Sequence, residues 1–204
     1  MKTSIERWQE VDGDNTLALD WPLNEYSLVW EIGGFEGRWA QQIYDKYKSF
    51  VHVFEPQLWA AQKLRNRFSG TGVWVEPYGL WIDDDILPMG NYHTDGASLV
   101  KHDGREEKQL GTFRYIRDEL KECGVDGMES LMVDLALMNI EGGEYILLPF
   151  MIENGLMENF KNFWCQFHPE GPEDLRHEEI FSGMEKTHEV MWDFYPTAVA
   201  WRRK

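Results

Sequence analysis

The stretch that most limits what this chain can fold into is Ser27-Leu-Val-Trp-Glu31-Ile-Gly33-Gly34-Phe-Glu-Gly37-Arg38-Trp39. An apolar run of strand character breaks into three glycines with an acidic residue among them. It resumes with Trp39, Ala40, Ile43, Tyr44 and Tyr47 on one helical face. Strand, glycine turn and helix N-terminus together make a cradle for part of a nucleotide-like ligand. Glycine tolerates positive φ and lets a ligand approach the backbone, whose N–H groups are unpaired at that point.

The same alternation continues. Phe50-Val-His-Val-Phe-Glu55-Pro56 reads as a second buried strand ending in a carboxylate. Leu58, Ala61, Leu64 and Phe68 then recur at helical spacing up to Gly70 and Gly72. Val73 to Trp81 reads as a third strand that Pro77 limits. Turn formers dominate from Ile82 to Lys108, and the apolar pieces among them predict a flap or hairpin at about 82–108. Phe113, Ile116 and Leu120 predict a helix face closed by Gly124. Leu131 to Ile140 predicts a central strand, followed by Glu141-Gly-Gly-Glu144 and a helix that Pro149 must kink or end. Asn162 to His168 reads as a strand and Pro172-Glu-Asp as a helix start with Leu175, Ile180, Phe181 and Met184 inward. Val190-Met-Trp and Ala198-Val-Ala-Trp read as two closing strands. The expected fold is α/β, a Rossmann-like, seven-stranded and mostly parallel sheet with helices on both faces. Residues 1–26 form an N-terminal lead held to the core by Trp8 and Trp21, and residues 27–204 form the main domain.

A chain of 204 residues with ten Trp has enough apolar material for one packed core. Its net charge of −16, with Lys and Arg scattered, leads to the expectation that nucleic acid is not a partner. No membrane partner is expected either, since neither a signal-like apolar core nor a 20-residue apolar span is present, and a cytoplasmic location follows. Cys123 and Cys165 are too few for a disulfide framework or a thiolate zinc site, and Cys165 reads as a buried inert thiol. Asp83-Asp-Asp reads as a solvated turn, so no metal is expected. Oligomeric state is not legible.

Glu55 lies about 20 residues beyond the glycine turn, where a strand-end carboxylate can take the two hydroxyls of a ribose. A pyrophosphate site wants G-x-G-x-x-G, and the middle glycine is here Phe35. Glu31 and Glu36 around the turn would oppose a phosphate pair and favour a cation. S-adenosylmethionine, an adenosine carrying a sulfonium and an ammonium, meets both conditions, and E-x-G-x-x-x-G followed by a ribose acid is the class I methyltransferase pattern.

More of the chain resembles the FkbM-type methyltransferases. The matching pieces are Val29-Trp-Glu31-Ile-Gly33-Gly34-Phe-Glu-Gly37, Phe54-Glu55-Pro56, Gly96-Ala-Ser98-Leu, Asp134-Leu-Ala-Leu-Met-Asn139-Ile-Glu141-Gly142-Gly143-Glu144 and Phe167-His168. The resemblance implies that Glu31, Gly33, Gly34 and Gly37 wrap the methionine part of the cofactor. It also implies Glu55-Pro56 at the ribose and Pro77 to Gly79 near the adenine. Glu141 and Glu144 would lie at the reaction centre with His168 as general base, and His93 in the flap is a weaker base candidate. The chain departs from the family at Leu137, Asn139 and Gln166, where that pattern carries Lys, Asp and a carboxylate.

The reading is therefore methyl transfer from S-adenosylmethionine to an oxygen of a small-molecule or sugar substrate, leaving S-adenosylhomocysteine. Residues 91–99 and the N-terminal lead would cover the substrate. The alternatives are a non-catalytic module that keeps the fold, favoured by the three departures, and a nicotinamide enzyme, disfavoured by Phe35.

Overall fold

The computed structural model describes residues 2–99, 109–122, 132–169 and 176–204. In chain order the elements are α1 (Ser4–Glu10), β1 (Leu28–Ile32), α2 (Arg38–Tyr47), β2 (Phe50–Phe54), α3 (Leu58–Arg67), β3 (Val73–Glu76), β4 (Gly79–Trp81) and β5 (Asp85–Met89). They continue with β6 (Gln109–Tyr115), α4 (Ile116–Glu122), β7 (Leu135–Met138), α5 (Glu144–Glu153), β8 (Asn162–Cys165), α6 (Arg176–Met184), β9 (His188–Phe194) and β10 (Ala198–Arg203). Among the described residues the main sheet has seven strands in the order β3-β2-β1-β7-β8-β10-β9. Only β10 runs against the rest. The strand order reverses between β1 and β7, which opens a crevice at their carboxyl ends.

Strand alternation sorts the core into two layers. Trp30, Ile32, Ala136, Met138, Phe163 and Cys165 face α4, α5 and α6. Val29, Leu135, Leu137, Trp164, Ala198 and Ala200 face α1, α2 and α3. The N-terminal segment belongs to the second layer: Trp8 is 2% exposed and packs with Trp164, Trp192 and Phe194. Two indole N–H groups, of Trp21 and Trp39, donate to the single carbonyl of Ala18 at 3.0 and 2.9 Å. One backbone oxygen thus ties that segment to α2.

Several expectations change in detail. Val73 to Trp81 is two strands, not one, because Pro77 separates β3 in the main sheet from β4 in a small sheet of order β4-β6-β5. Phe113 is a residue of β6, paired to Gly79 and Asp85, and the helix starts only at Ile116. Leu58 is exposed, and α3 buries Ala60, Ala61 and Leu64 instead. The central strand is shorter than its apolar run, and Leu131 lies outside the described residues, as do Lys108, Cys123, Gly124, Pro172 and Leu175.

Pro149 neither ends α5 nor leaves a broken bond unanswered. The carbonyl it orphans is that of Tyr145, one turn back, and the Arg176 guanidinium donates to it at 2.7 Å. Among the described residues no helix is long and apolar enough to cross a membrane.

Gly33 sits where β1 and β7 come closest. Its φ is +92°, and a Cβ there would lie 2.0 Å from the carbonyl oxygen of Asn139. Neither the backbone conformation nor the space admits a side chain. Gly33→Ala is expected to lose more than about 2 kcal/mol in equilibrium denaturation; a smaller loss would mean that β7 can withdraw freely.

Candidate functional site

Loops after β1, β2 and β7, the end of β8, the small sheet and the N-terminal segment enclose a cleft of about 810 Å³. Glu31, Gly33, Gly34, Gly37, Glu55, Pro56, Gly79, Glu141 and His168 all line it. Glu144 is the exception: it is fully buried and touches the cleft only through His168.

Glu31, the last residue but one of β1, is only 3% exposed. The backbone N–H of Ala40, in the first turn of α2, favours its charged form, while Oε2 has no hydrogen-bond partner. Burial, with the Glu55 carboxylate nearby, pushes Glu31 well above the usual carboxylate range. A carboxyl group buried this way is stabilised by any donor or cation brought beside it.

Glu55 is just as buried, but better supplied. The Phe35 N–H donates to Oε2 at 2.7 Å and the Gln57 N–H to Oε1 at 2.8 Å. Burial still pushes its acidity to about 7 against these backbone bonds. Phe35 adopts φ +39° to present its N–H, a conformation that a side chain resists. Glu36, by contrast, is exposed at the rim and paired with Arg38 at 2.8 Å.

Across the cleft His168 sits between two glutamates. Its Nδ1 is 2.6 Å from Glu144 Oε1, and its Nε2 is 3.2 Å from Glu141 Oε1. Glu144 is held in turn by the Gly142 N–H, which donates to Oε2 at 2.6 Å. Glu141 has φ +53°, strain of the kind that persists only where the surroundings enforce it. One enforcing contact comes from the flap: Ser98 Oγ donates to the Glu141 carbonyl at 2.6 Å.

Gln57, which sequence reasoning passed over, fastens the flap at its other end. Its Oε1 accepts from the His93 and Trp59 N–H groups, and its Nε2 donates to the Thr94 carbonyl. His93 itself is exposed beside Trp59 and Tyr92 and does not line the cleft. Leu137, Asn139, Trp164 and Gln166 do line it. Trp164 was missed because a strand tryptophan reads as core until the neighbouring strand is known. Cys165 is a free thiol, fully buried, and burial beside Glu144 pushes it well up. Asp84 accepts the Tyr115 N–H and Asp85 opens β5; among the described residues no His, Cys, Asp and Glu group is placed to hold a metal ion.

This arrangement of strands and helices has counterparts among solved structures. A putative rRNA-methylase from Clostridium thermocellum superposes with a TM-score of 0.52 at 11% identity, covering 100% of this chain and 99% of that one. The methyltransferase domain of METTL16 gives a TM-score of 0.52 at 13% identity over 99% of this chain and 69% of that one. The chain has the class I methyltransferase fold. No family model matches the chain, and no curated protein is similar to it in sequence.

The expectation that nucleic acid is excluded is corrected by this comparison, since the structure matched from end to end is named as a putative rRNA-methylase. The physical reason is that −16 is a sum over the whole surface, whereas a nucleic acid meets only one face of it.

The two buried carboxylates make stability depend on pH. The folded state holds the Glu55 proton up to about 7, while the unfolded chain releases it near 4.5. Stability therefore falls as pH rises between those values and is level above them. Glu55→Gln is expected to match the parent protein at pH 4 and to exceed it by on the order of 2 kcal/mol at pH 8. Denaturation curves at the two pH values check this, and an advantage equal at both would remove Glu55 as the cause.

Proposed function

We propose that the protein is an S-adenosylmethionine-dependent methyltransferase acting on a hydroxyl oxygen of a small-molecule or sugar acceptor. The observation that carries the reading is the pair of buried carboxyl groups lining the cleft, Glu31 beside a glycine turn and Glu55 at the end of the adjacent strand. The buried carboxylates suit a ligand that brings positive charge to one and hydroxyls to the other. Glu31, Gly33, Gly34 and Gly37 would hold the methionine part, Glu55 and Pro56 the ribose, and Gly79 the side of the adenine. When bound, the cofactor supplies an electrophilic methyl group on its sulfonium.

The chain's own contribution lies on the other wall. Glu144, buried and fixed by the Gly142 amide, accepts Nδ1–H of His168, which leaves Nε2, 3.2 Å from Glu141 Oε1, as the ring nitrogen at the cleft. Nε2 takes the proton of the acceptor hydroxyl as its oxygen becomes the nucleophile. The imidazolium so formed lies between Glu141 and Glu144, whose carboxylates balance its charge. The flap and N-terminal segment exclude water and align the acceptor.

The FkbM-type resemblance belongs to this reading, and the contacts between its motifs support it. Phe35 of the glycine motif meets Glu55, Ser98 meets Glu141, and His168 meets both glutamates of the Glu141-Gly-Gly-Glu144 motif. The rRNA-methylase likeness makes RNA an acceptor to be assayed beside free sugars.

Calorimetry with S-adenosylhomocysteine tests the cofactor half: micromolar binding, lost in Glu31→Ala and weakened below pH 7 as Glu55 takes up its proton, is the expected result. Binding of NADH in its place would sink the proposal. For the chemical half, His168→Ala is expected to keep cofactor affinity and lose about 100-fold or more in turnover. Undiminished turnover removes His168 from the mechanism. Cofactor binding with no transfer to sugars, small alcohols or RNA would favour the non-catalytic module, which the uncharged Leu137, Asn139 and Gln166 in the cleft wall support.

A further inference from the structure

Pro56 to Val75 is the longest stretch of the chain without an acidic residue, in a protein whose net charge is −16. Its helix, α3, carries Lys63, Arg65 and Arg67, all exposed, with the neutral amides of Gln62 and Asn66 exposed beside them. The stretch begins at the cleft, which Pro56 and Gln57 line.

Trp59, Lys63 and Arg67 recur every fourth residue and so share one face of the helix. The Lys63 ammonium lies 4.6 Å from the centre of the half-buried Trp59 ring. Trp59 meets Phe35 of the glycine turn edge to face, with centroids 5.8 Å apart, and Phe35 lines the cleft. Arg67 donates to the Glu36 carbonyl at 2.7 Å, which uses only one of its guanidinium N–H donors. An aromatic ring and two cations thus run in line from the cleft rim down the helix. Arg65 leans to the other side, where it donates to the Val75 carbonyl at 2.9 Å and lies 4.0 Å from Glu76. Two exposed carboxylates stand near the cleft end of the stripe: Glu36, already paired with Arg38, and Asp95 of the flap.

Within a Debye length, about 8 Å at physiological salt, a local run of cations outweighs charge on the far surface. The partner that suits the stripe is a chain of anions with flat groups between them. Lys63 and Arg67 are separated by a rise of about 6 Å along the helix, the reach between neighbouring phosphates of an extended strand. Aromatic rings set among cations are the recurrent make-up of single-strand tracks. We propose that the exposed face of α3 is a docking track for the phosphate backbone of a single RNA strand, one ribose of which enters the adjoining cleft. RNA rather than DNA follows from the acceptor, because each RNA ribose carries the 2′-hydroxyl that His168 would deprotonate. That choice rests on the methyltransferase reading, whereas the track rests on α3 alone.

Fluorescence anisotropy of a labelled oligouridylate of about 12 nucleotides, titrated with the full chain with and without saturating S-adenosylhomocysteine, reads the docking. Saturable binding with a Kd of about 1 to 100 μM is expected. Lys63→Glu should weaken it about tenfold, while Lys186→Glu, an equal change of net charge beyond α6, should leave it within about twofold. Lys63→Ala should flatten the dependence of log Kd on log salt by about 0.7, the share of one phosphate contact. Crosslinks from a 4-thiouridine strand to the parent protein are expected within α3, which keeps the test open if a variant does not fold.

Equal weakening by Lys186→Glu, crosslinks only outside α3, or no saturable binding overturns the inference. Displacement of the strand by polyglutamate at matched charge also overturns it, and marks the stripe as a site for acidic protein segments. Binding of S-adenosylhomocysteine without RNA leaves the methyltransferase reading and removes the track. The reverse result, a Lys63-dependent RNA complex without cofactor binding, leaves the track and removes that reading.

Discussion

The close approach of β1 and β7 at Gly33 is the constraint on which the rest of the molecule depends. The Asn139 carbonyl occupies the space that a side chain at Gly33 would need, and the Asn139 N–H donates to Ile32 at 2.9 Å. Two strands locked this tightly at the switch point force their following loops apart, in opposite directions. One loop becomes the glycine turn that carries Glu31 and leads to α2. The other becomes the Glu141 turn and leads to α5. The cleft is the gap between them, and its two walls inherit different chemistry from the strands they extend.

One wall holds buried carboxylates and the other a histidine between carboxylates. The first arrangement is poor for stability alone, since burial opposes the charge of Glu31 and Glu55. The compensation lies behind them. Two layers of apolar side chains fill both faces of the sheet, and the aromatic group around Trp8, Trp164 and Trp192 fastens the N-terminal segment over the open end. A core of that size can carry a costly site.

Most of the architecture was legible because strands β1, β2 and β8 have short apolar runs with clear stops at Gly33, Pro56 and Pro169. Where reading failed, tertiary structure overrode a local signal. Phe113 fits a helical spacing with Ile116 and Leu120, yet it pairs in β6, and nothing local announces that pairing. Pro149 was expected to kink or end a helix; α5 runs on through it to Glu153, and Arg176, distant in sequence, donates to the freed carbonyl. The cleft residues on the loops were legible from glycine and acid spacing. Gln57 and Trp164 were not, because their significance arises only from the flap and from the register of β8 against β7. The charge sum misled on partners for the same reason, since it carries no positions.

The hydroxyl of Ser98 has a consequence out of proportion to its size. It reaches the carbonyl of a residue held at positive φ, while Gly90 and Ser98 exchange backbone bonds that close the flap into a ring of fixed circumference. Gln57 pins the far side of that ring to the strand-end loop carrying Glu55. The flap is thus less a lid than a crossbar joining the loop that carries Glu55 to the loop that carries Glu141. A displacement of either loop is therefore carried through the flap to the other by hydrogen bonds rather than by packing.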